Sequence, residues 1–251
     1  MEIFSPEILL LLFSVGAIAG CIDAMAGGGG LITIPAMLSA GIPPLQTLAT
    51  NKLQACGGSF SASFYFVRAG VVNLKEMRFP ILCTFIGSAV GTLLVQRIDS
   101  DILVSMVPVM LVTIAGYFMF AKNLAGGKQR ITLNTFALTI GFSIGFYDGF
   151  FGPGTGSFFA MACVTLLGMS LPKATAHTKI LNFTSNIASL MFFLFGGHVL
   201  WSIGLVMMAG QFIGARMGSK MVLTKGQKLI RPMIVIVCLI MSARLILQNI
   251  S

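Results

Sequence analysis

Apolar runs of about twenty residues, each long enough to cross a hydrocarbon layer as a helix, recur from Ile8 to Leu247 with only short gaps between them. A chain made of little else has almost no water-facing surface to offer. Only 9% of its residues are charged and 56% are hydrophobic, against roughly 25% charged in an average soluble domain. A globule of 251 residues could not be covered with polar side chains on that composition, so the fold class is an all-α integral membrane protein that crosses the bilayer many times.

The net charge of +9 does not point to nucleic acid, because the basic residues lie mostly in the gaps between apolar runs and form no patch interleaved with aromatics. They read as topology markers and lipid-surface contacts. Five cysteines, Cys21, Cys56, Cys83, Cys163 and Cys238, are odd in number, lack C-x-x-C spacing and sit inside apolar segments. Neither a disulfide framework, a metal site nor a cofactor is expected. Ala17-Ile18-Ala19 imitates a signal-peptidase site, but the preceding residues carry Glu2 and Glu7 where a signal peptide needs basic ones.

The N-terminal segment also recurs. Gly20-Cys21-Ile22-Asp23 matches Gly145-Phe146-Tyr147-Asp148, Gly27 to Gly30 matches Gly152-Pro153-Gly154-Thr155-Gly156, and Lys52 matches Lys179. Phe-Ile-Gly-x-x-x-Gly ending at Gly91 returns ending at Gly218, at the same offset as the lysines. The chain reads as two copies of one unit, 1–125 and 126–251. Each holds five apolar segments, near 8–26, 31–40, 46–68, 79–96 and 102–121, then 131–151, 157–167, 174–196, 201–220 and 228–247.

An odd number of crossings turns the second copy upside down, and the loop charges agree. Arg68, Lys75 and Arg78 follow the third segment of copy one, whereas Gly196 to Trp201 has no Lys or Arg. After the fourth segment the bias reverses, with Arg97 beside Asp99 and Asp101 in copy one but Arg216, Lys220, Lys225 and Lys228 in copy two. With Lys122, Lys128 and Arg130 inside, both termini are expected in the periplasm of a bacterial inner membrane. The expected fold is thus two inverted five-segment repeats, an arrangement typical of secondary transporters. Oligomeric state is not legible, a homodimer being one option.

Leu31 to Ala40, as a helix, would rise only ~15 Å, half of a ~30 Å hydrocarbon core. It follows the glycine run Gly27, Gly28, Gly29 and Gly30, and its counterpart follows Gly152-Pro153-Gly154, the strongest helix-breaking stretches in the chain. Two half-length helices starting at mid-membrane aim free N–H groups and the positive ends of their dipoles at one place. An anion can bind there without requiring a buried lysine. The expected site comprises Gly27 to Gly30, Leu31, Gly152, Gly154, Thr155, Gly156 and Ser157, with Thr155 and Ser157 adding hydroxyls. Glycine also permits close helix packing, and Gly16-x-x-x-Gly20, Gly87-x-x-x-Gly91, Gly141-x-x-x-Gly145 and Gly214-x-x-x-Gly218 are read as helix contacts only.

Asp23 and Asp148 lie one turn before the breaks, where an ionised carboxylate costs roughly 2.5 to 3.5 kcal/mol. They need a partner or a proton. Either they couple transport to protons, or each is structural, bonded to the elbow backbone or paired with Lys52 or Lys179. Lys179, Asn182 and Asn186 share one helical face, and the lysines and asparagines join the expected binding residues. His177, near Lys179, is either a proton shuttle or a hydrogen-bonded polar residue near a helix start.

Asp23-Ala24-x-Ala26-Gly-Gly-Gly-Gly-Leu31, Ala49-Thr50-Asn51-Lys52-Leu53-Gln54, Phe146-Tyr147-Asp148-Gly149-Phe150-Phe151-Gly152-Pro153-Gly154-Thr155-Gly156-Ser157 and Lys173-Ala174-Thr175-Ala176-His177-Thr178-Lys179 resemble the TauE/SafE sulfite exporter family, also called toluene sulfonate uptake permeases. The likeness spans essentially the whole chain and is strongest to the YfcA-like branch. It implies an inner-membrane carrier of sulfite, sulfonates or related small organosulfur anions, and the chemical identity of the anion rests on that resemblance. Two other classes compete. A passive anion channel would use the same dipoles. An intramembrane aspartyl protease would use the two buried aspartates, but its Gly-x-Gly-Asp sequence is missing, and the repeat already accounts for two aspartates without a catalytic dyad.

Overall fold

The computed structural model describes residues 5–99 and 127–225, together with residues 102, 103, 106, 109, 110 and 113. The regular elements among the described residues are all helical. The first half contains α1 (Pro6–Ala26), α2 (Gly30–Ser39), α3 (Pro44–Arg68) and α4 (Arg78–Val95). The second contains α5 (Leu133–Phe136), a π-helical stretch (Ala137–Gly141), α6 (Phe142–Phe150), α7 (Thr155–Leu167), α8 (Leu171–Gly196) and α9 (Trp201–Lys225). The expected segments 228–247 and most of 102–121 lie outside the described residues, as does the N-terminal tetrapeptide.

Local chemistry sets the boundaries. Pro6 in the first turn of α1 follows Ser5, whose hydroxyl accepts from Ile8 N at 3.4 Å. The helix stops at Gly27, where φ is +78° and the amide returns to Asp23 O at 2.8 Å. Gly154 plays the corresponding part on the other side, entering α7 at φ +81°. The segment expected as one helix over 131–151 is interrupted by the π-helical stretch, whose wider turn rotates the register of α6. Helix α9 runs on to Lys225, beyond the expected end at 220, and Val222 keeps its inner face buried.

Helices α1, α4 and α8 are long and apolar enough to cross a membrane. Helix α3 is inverted relative to a soluble helix: Asn51, Lys52, Gln54, Ser59 and Ser61 are buried while Phe60 and Phe64 are exposed. Together with exposed Leu10, Leu11, Ile18, Phe195 and Met217, these residues give an outer surface suited to lipid and an interior that is partly polar.

The halves interlock reciprocally. A Cβ on Gly16 would lie 2.6 Å from Met207 O, and one on Gly20 2.3 Å from Gln211 O, while Gly214 and Gly218 meet Ala17 and Cys21 in return. The same exchange joins α6 to α4, with Gly145 and Gly149 against Thr84 and Ser88 and with Gly87 and Gly91 against Phe142 and Phe146. Each first helix thus packs backbone to backbone on the other half's fourth helix. Hydroxyls add cross-links: Ser88 Oγ lies 2.7 Å from both Ser185 O and Ser189 Oγ, and Thr92 Oγ1 donates to Gly149 O at 3.1 Å.

Candidate functional site

Helix α2 has ten residues and α7 thirteen, so they rise only ~15 and ~20 Å. Their N-termini meet at the centre of the interlocked helices. A Cβ on Gly27 would lie 2.2 Å from Gly156 C, and one on Gly30 3.3 Å from Pro153 Cα. The Ser157 hydroxyl donates to Ala26 O, tying the first turn of α7 to the last turn of α1. Neither N-cap residue, Gly29 or Gly154, has a side chain to cap its helix, although Asp23 Oδ1 accepts from Gly29 N at 3.1 Å. Their first turns close with short-range bonds instead, Leu31 N to Gly28 O at 3.1 Å and Ser157 N to Gly154 O at 2.9 Å.

Two ion pairs brace the breaks, and each crosses between the halves. Lys52 Nζ lies 2.9 Å from Asp148 Oδ1 and also donates to Asp148 O; Lys179 Nζ lies 2.9 Å from Asp23 Oδ2 and also donates to Asp23 O. A lysine on the third helix of one half therefore neutralises both the carboxylate and a last-turn carbonyl of the broken helix in the other half. A cation at a helix C-terminal end also opposes the negative pole of its dipole, which removes the penalty that the sequence position alone imposes on an ionised aspartate there.

The pairs are not equivalent. Asp148 is 3% exposed and accepts further bonds from Thr155 Oγ1, at 2.8 Å to Oδ1, and from the Ser185 hydroxyl. Asp23 is 14% exposed, and its carboxylate also accepts from Gly29 N at 3.1 Å. Both lysines are 1% exposed and engaged, so neither offers its charge directly to a solute.

A polar cavity of about 20 Å³ lies where the breaks meet, lined by Asp23, Gly27, Gly30, Asn51, Ala55, Asp148, Gly152, Gly154, Thr155, Gly156, Asn182, Asn186 and Gln211. This volume holds about one water molecule, so a three-oxygen anion would require the walls to part. Of the residues expected from the sequence, the cavity brings together both aspartates, both asparagines of α8, Thr155 and five glycines. Gly28, Gly29, Leu31, Ser157 and the two lysines stand behind it as supports. His177 is held through Nδ1 to Lys173 O at 2.8 Å, within its own helix, and does not line the cavity.

Three lining residues fall outside the expected set: Ala55, which brings no polar side-chain atom, and the amides Asn51 and Gln211. Asn51 sits beside Lys52, and its Oδ1 accepts from Thr33 Oγ1 at 2.7 Å and Gln54 Nε2 at 2.6 Å, fastening α2 to α3. Gln211 is a lone amide on an otherwise apolar stretch of α9 and lies opposite Gly20. A pointer to it does exist in the sequence: Gly20 begins the repeated glycine-aspartate motif, and Gln211 stands three residues before Gly214 of the repeated glycine pair. No group of His, Cys, Asp or Glu suited to a metal ion occurs among the described residues.

Known proteins resemble this sequence along nearly its whole length. The profile of the family described as Sulfite exporter TauE/SafE matches residues 12–245. A "Probable membrane transporter protein" of Haemophilus influenzae is 54% identical over 242 residues, covering 96% of this chain and 95% of that one. "Probable membrane transporter protein YfcA" of Escherichia coli is 54% identical over 247 residues, covering 98% and 92%. "Probable membrane transporter protein ORF9" of Sinorhizobium is 50% identical over 248 residues, covering 98% and 95%. No solved structure matches.

Proposed function

The chain belongs to the sulfite exporter TauE/SafE family of membrane transporters, and from that premise we propose that it is a secondary transporter exporting a small anion, sulfite or an organosulfonate, bound between the N-termini of α2 and α7. The observation that carries this reading is the convergence of two helix N-termini, each entered through glycine, on one polar cavity. The two ion pairs make the surrounding charges balance, so the helix-end dipoles and neutral amides supply the attraction. A monoanion suits such a site better than a dianion, whose burial costs more.

The remaining architecture obeys the same logic. Two inverted repeats, 1–125 and 126–251, would place the breaks at mid-membrane and the termini in the periplasm, and reciprocal packing of first on fourth helices supports a repeat related by a two-fold axis. Rocking or elevator-like movement of one bundle against the other would open the cavity to each side in turn. An interior-negative potential favours anion exit by about 2.3 kcal/mol per charge per 100 mV, so export needs no coupling ion. Uptake would need one, with Asp23 or Asp148 as its carrier.

Counterflow of labelled sulfite in proteoliposomes tests the site. Gly30→Ala adds one methyl where the nearest backbone atom is 3.3 Å away and the glycine φ is ordinary, so it should fold and still lose most of its sulfite exchange. Gly154→Leu should lose exchange altogether. Wild-type rates in both would remove the site from this account.

A further inference from the structure

We infer that Gln211 of α9 is a ligand-contacting residue of this cavity, its carboxamide hydrogen-bonding a small sulfur oxyanion held between the two helix N-termini. The inference rests on the anion-transport reading above and adds a residue that the repeat motifs do not contain.

Five buried side-chain polar atoms among the described residues lack a hydrogen-bond partner, those of Gln54, Ser63, Thr84, Thr178 and Gln211. Only Gln211 is also a cavity-lining residue. It is 2% exposed, and its Oε1 is the atom without a partner. A buried amide left unpaired is destabilising, and such groups in a native fold call for a reason.

The surroundings of Gln211 are shaped for it. A Cβ on Gly20 would lie 2.8 Å from its Cγ, and one on Gly58 2.9 Å from its Oε1 and 3.0 Å from its Cδ. Glycines on α1 and α3 thus form a trough in which this long side chain lies. In the other half the corresponding places hold Gly145, Thr84 and Ser185, and the trough is gone: Thr84 is too short to reach the cavity, and Ser185 is bonded to Asp148. The repeat symmetry breaks here, as it also does where Asn182 stands for Ala55, and the cavity gains an amide. A purely structural side chain here would be bonded or apolar. A carboxamide can donate to an oxyanion oxygen of sulfite or a sulfonate through Nε2, and its Oε1 can accept from the O–H of a singly protonated sulfite.

The test compares wild type, Gln211→Leu, Gln211→Glu and Gly30→Ala in detergent, measuring sulfite and methanesulfonate affinity alongside the melting temperature without ligand. Gln211→Leu should melt at or above the wild-type temperature, because an unpaired buried amide is replaced by an apolar group. It should bind both anions about 10- to 100-fold more weakly, the effect of losing a hydrogen bond to a charged partner. Gln211→Glu, similar in size but acidic and without N–H donors, should bind at least as weakly. Wild-type affinity in Gln211→Leu overturns the assignment, as does a loss of affinity that appears only with a lowered melting temperature and is absent in Gln211→Glu. If Gly30→Ala weakens binding while both Gln211 variants bind normally, the anion site stands and Gln211 is excluded from it. If wild-type protein ignores both anions, the transport reading falls and takes this inference with it.

Discussion

Lys52→Met tests the bracing of the site with a magnitude set by its geometry. Lys52 donates to both Asp148 Oδ1 and Asp148 O with both side chains almost wholly buried. Among the described residues, removing the ammonium leaves the carboxylate supported by the hydroxyls of Thr155 and Ser185. Taking one partner from a buried pair costs about 3–5 kcal/mol. At about 2–4 °C per kcal/mol for a chain of this size, the melting temperature in detergent should fall by about 6–20 °C. Lys179→Met should cost less, because Asp23 is wetter and keeps its bond from Gly29 N. The double variant Lys52→Met, Asp148→Leu should recover much of the loss, since an apolar pair can replace a buried ion pair at little net cost. A single variant that melts within about 2 °C of wild type, or a double variant no better than the single one, would refute the view that the pair is a buried brace between the halves.

Gly214→Ala should destabilise the protein by about 1–3 kcal/mol, since its new Cβ would fall 1.8 Å from Ala17 O; thermal unfolding reads this, and Gly41→Ala, with open space around it but φ +81°, should cost less. Reporter fusions near Lys75 and Lys225 should both score cytoplasmic and one near Gly197 periplasmic, and any other pattern overturns the inverted topology. In proteoliposomes an imposed potential of 100 mV should shift the equilibrium sulfite ratio by about 50-fold if a monoanion moves alone, and an unchanged ratio would mean that a proton moves with it.

The breaks were legible because glycine and proline runs act on the backbone alone, without needing a partner. Gly27 and Gly154 adopt positive φ at the expected elbows. Of the glycine pairs, those of Gly16, Gly87 and Gly214 pack as expected, whereas on the α4 side Gly149 takes the place expected for Gly141, because which glycine meets a neighbour depends on how the helices face. The choice of ion-pair partner was not, because a repeat makes Asp23 with Lys52 and Asp23 with Lys179 look equally good along the chain. Only packing shows that each lysine reaches into the opposite half. That exchange makes Lys52 and Lys179, expected as anion contacts, buried supports, since each ammonium is engaged by a carboxylate and a backbone carbonyl of the same aspartate. Gln211 was missed because a lone amide in an apolar helix has no local signature, and Asn51 because its place in the second copy holds Thr178; their meaning comes from which helix faces them.

If an anion sits between the N-termini of α2 and α7, anomalous diffraction from crystals soaked in selenite, a heavier analogue of sulfite, will locate it most directly. The expected result is a selenium peak within hydrogen-bonding reach of the Gly30 and Gly156 backbones and of Asn182 or Gln211. A peak at the surface or beside another element of the fold, with none between the two helix ends, would contradict the anion site.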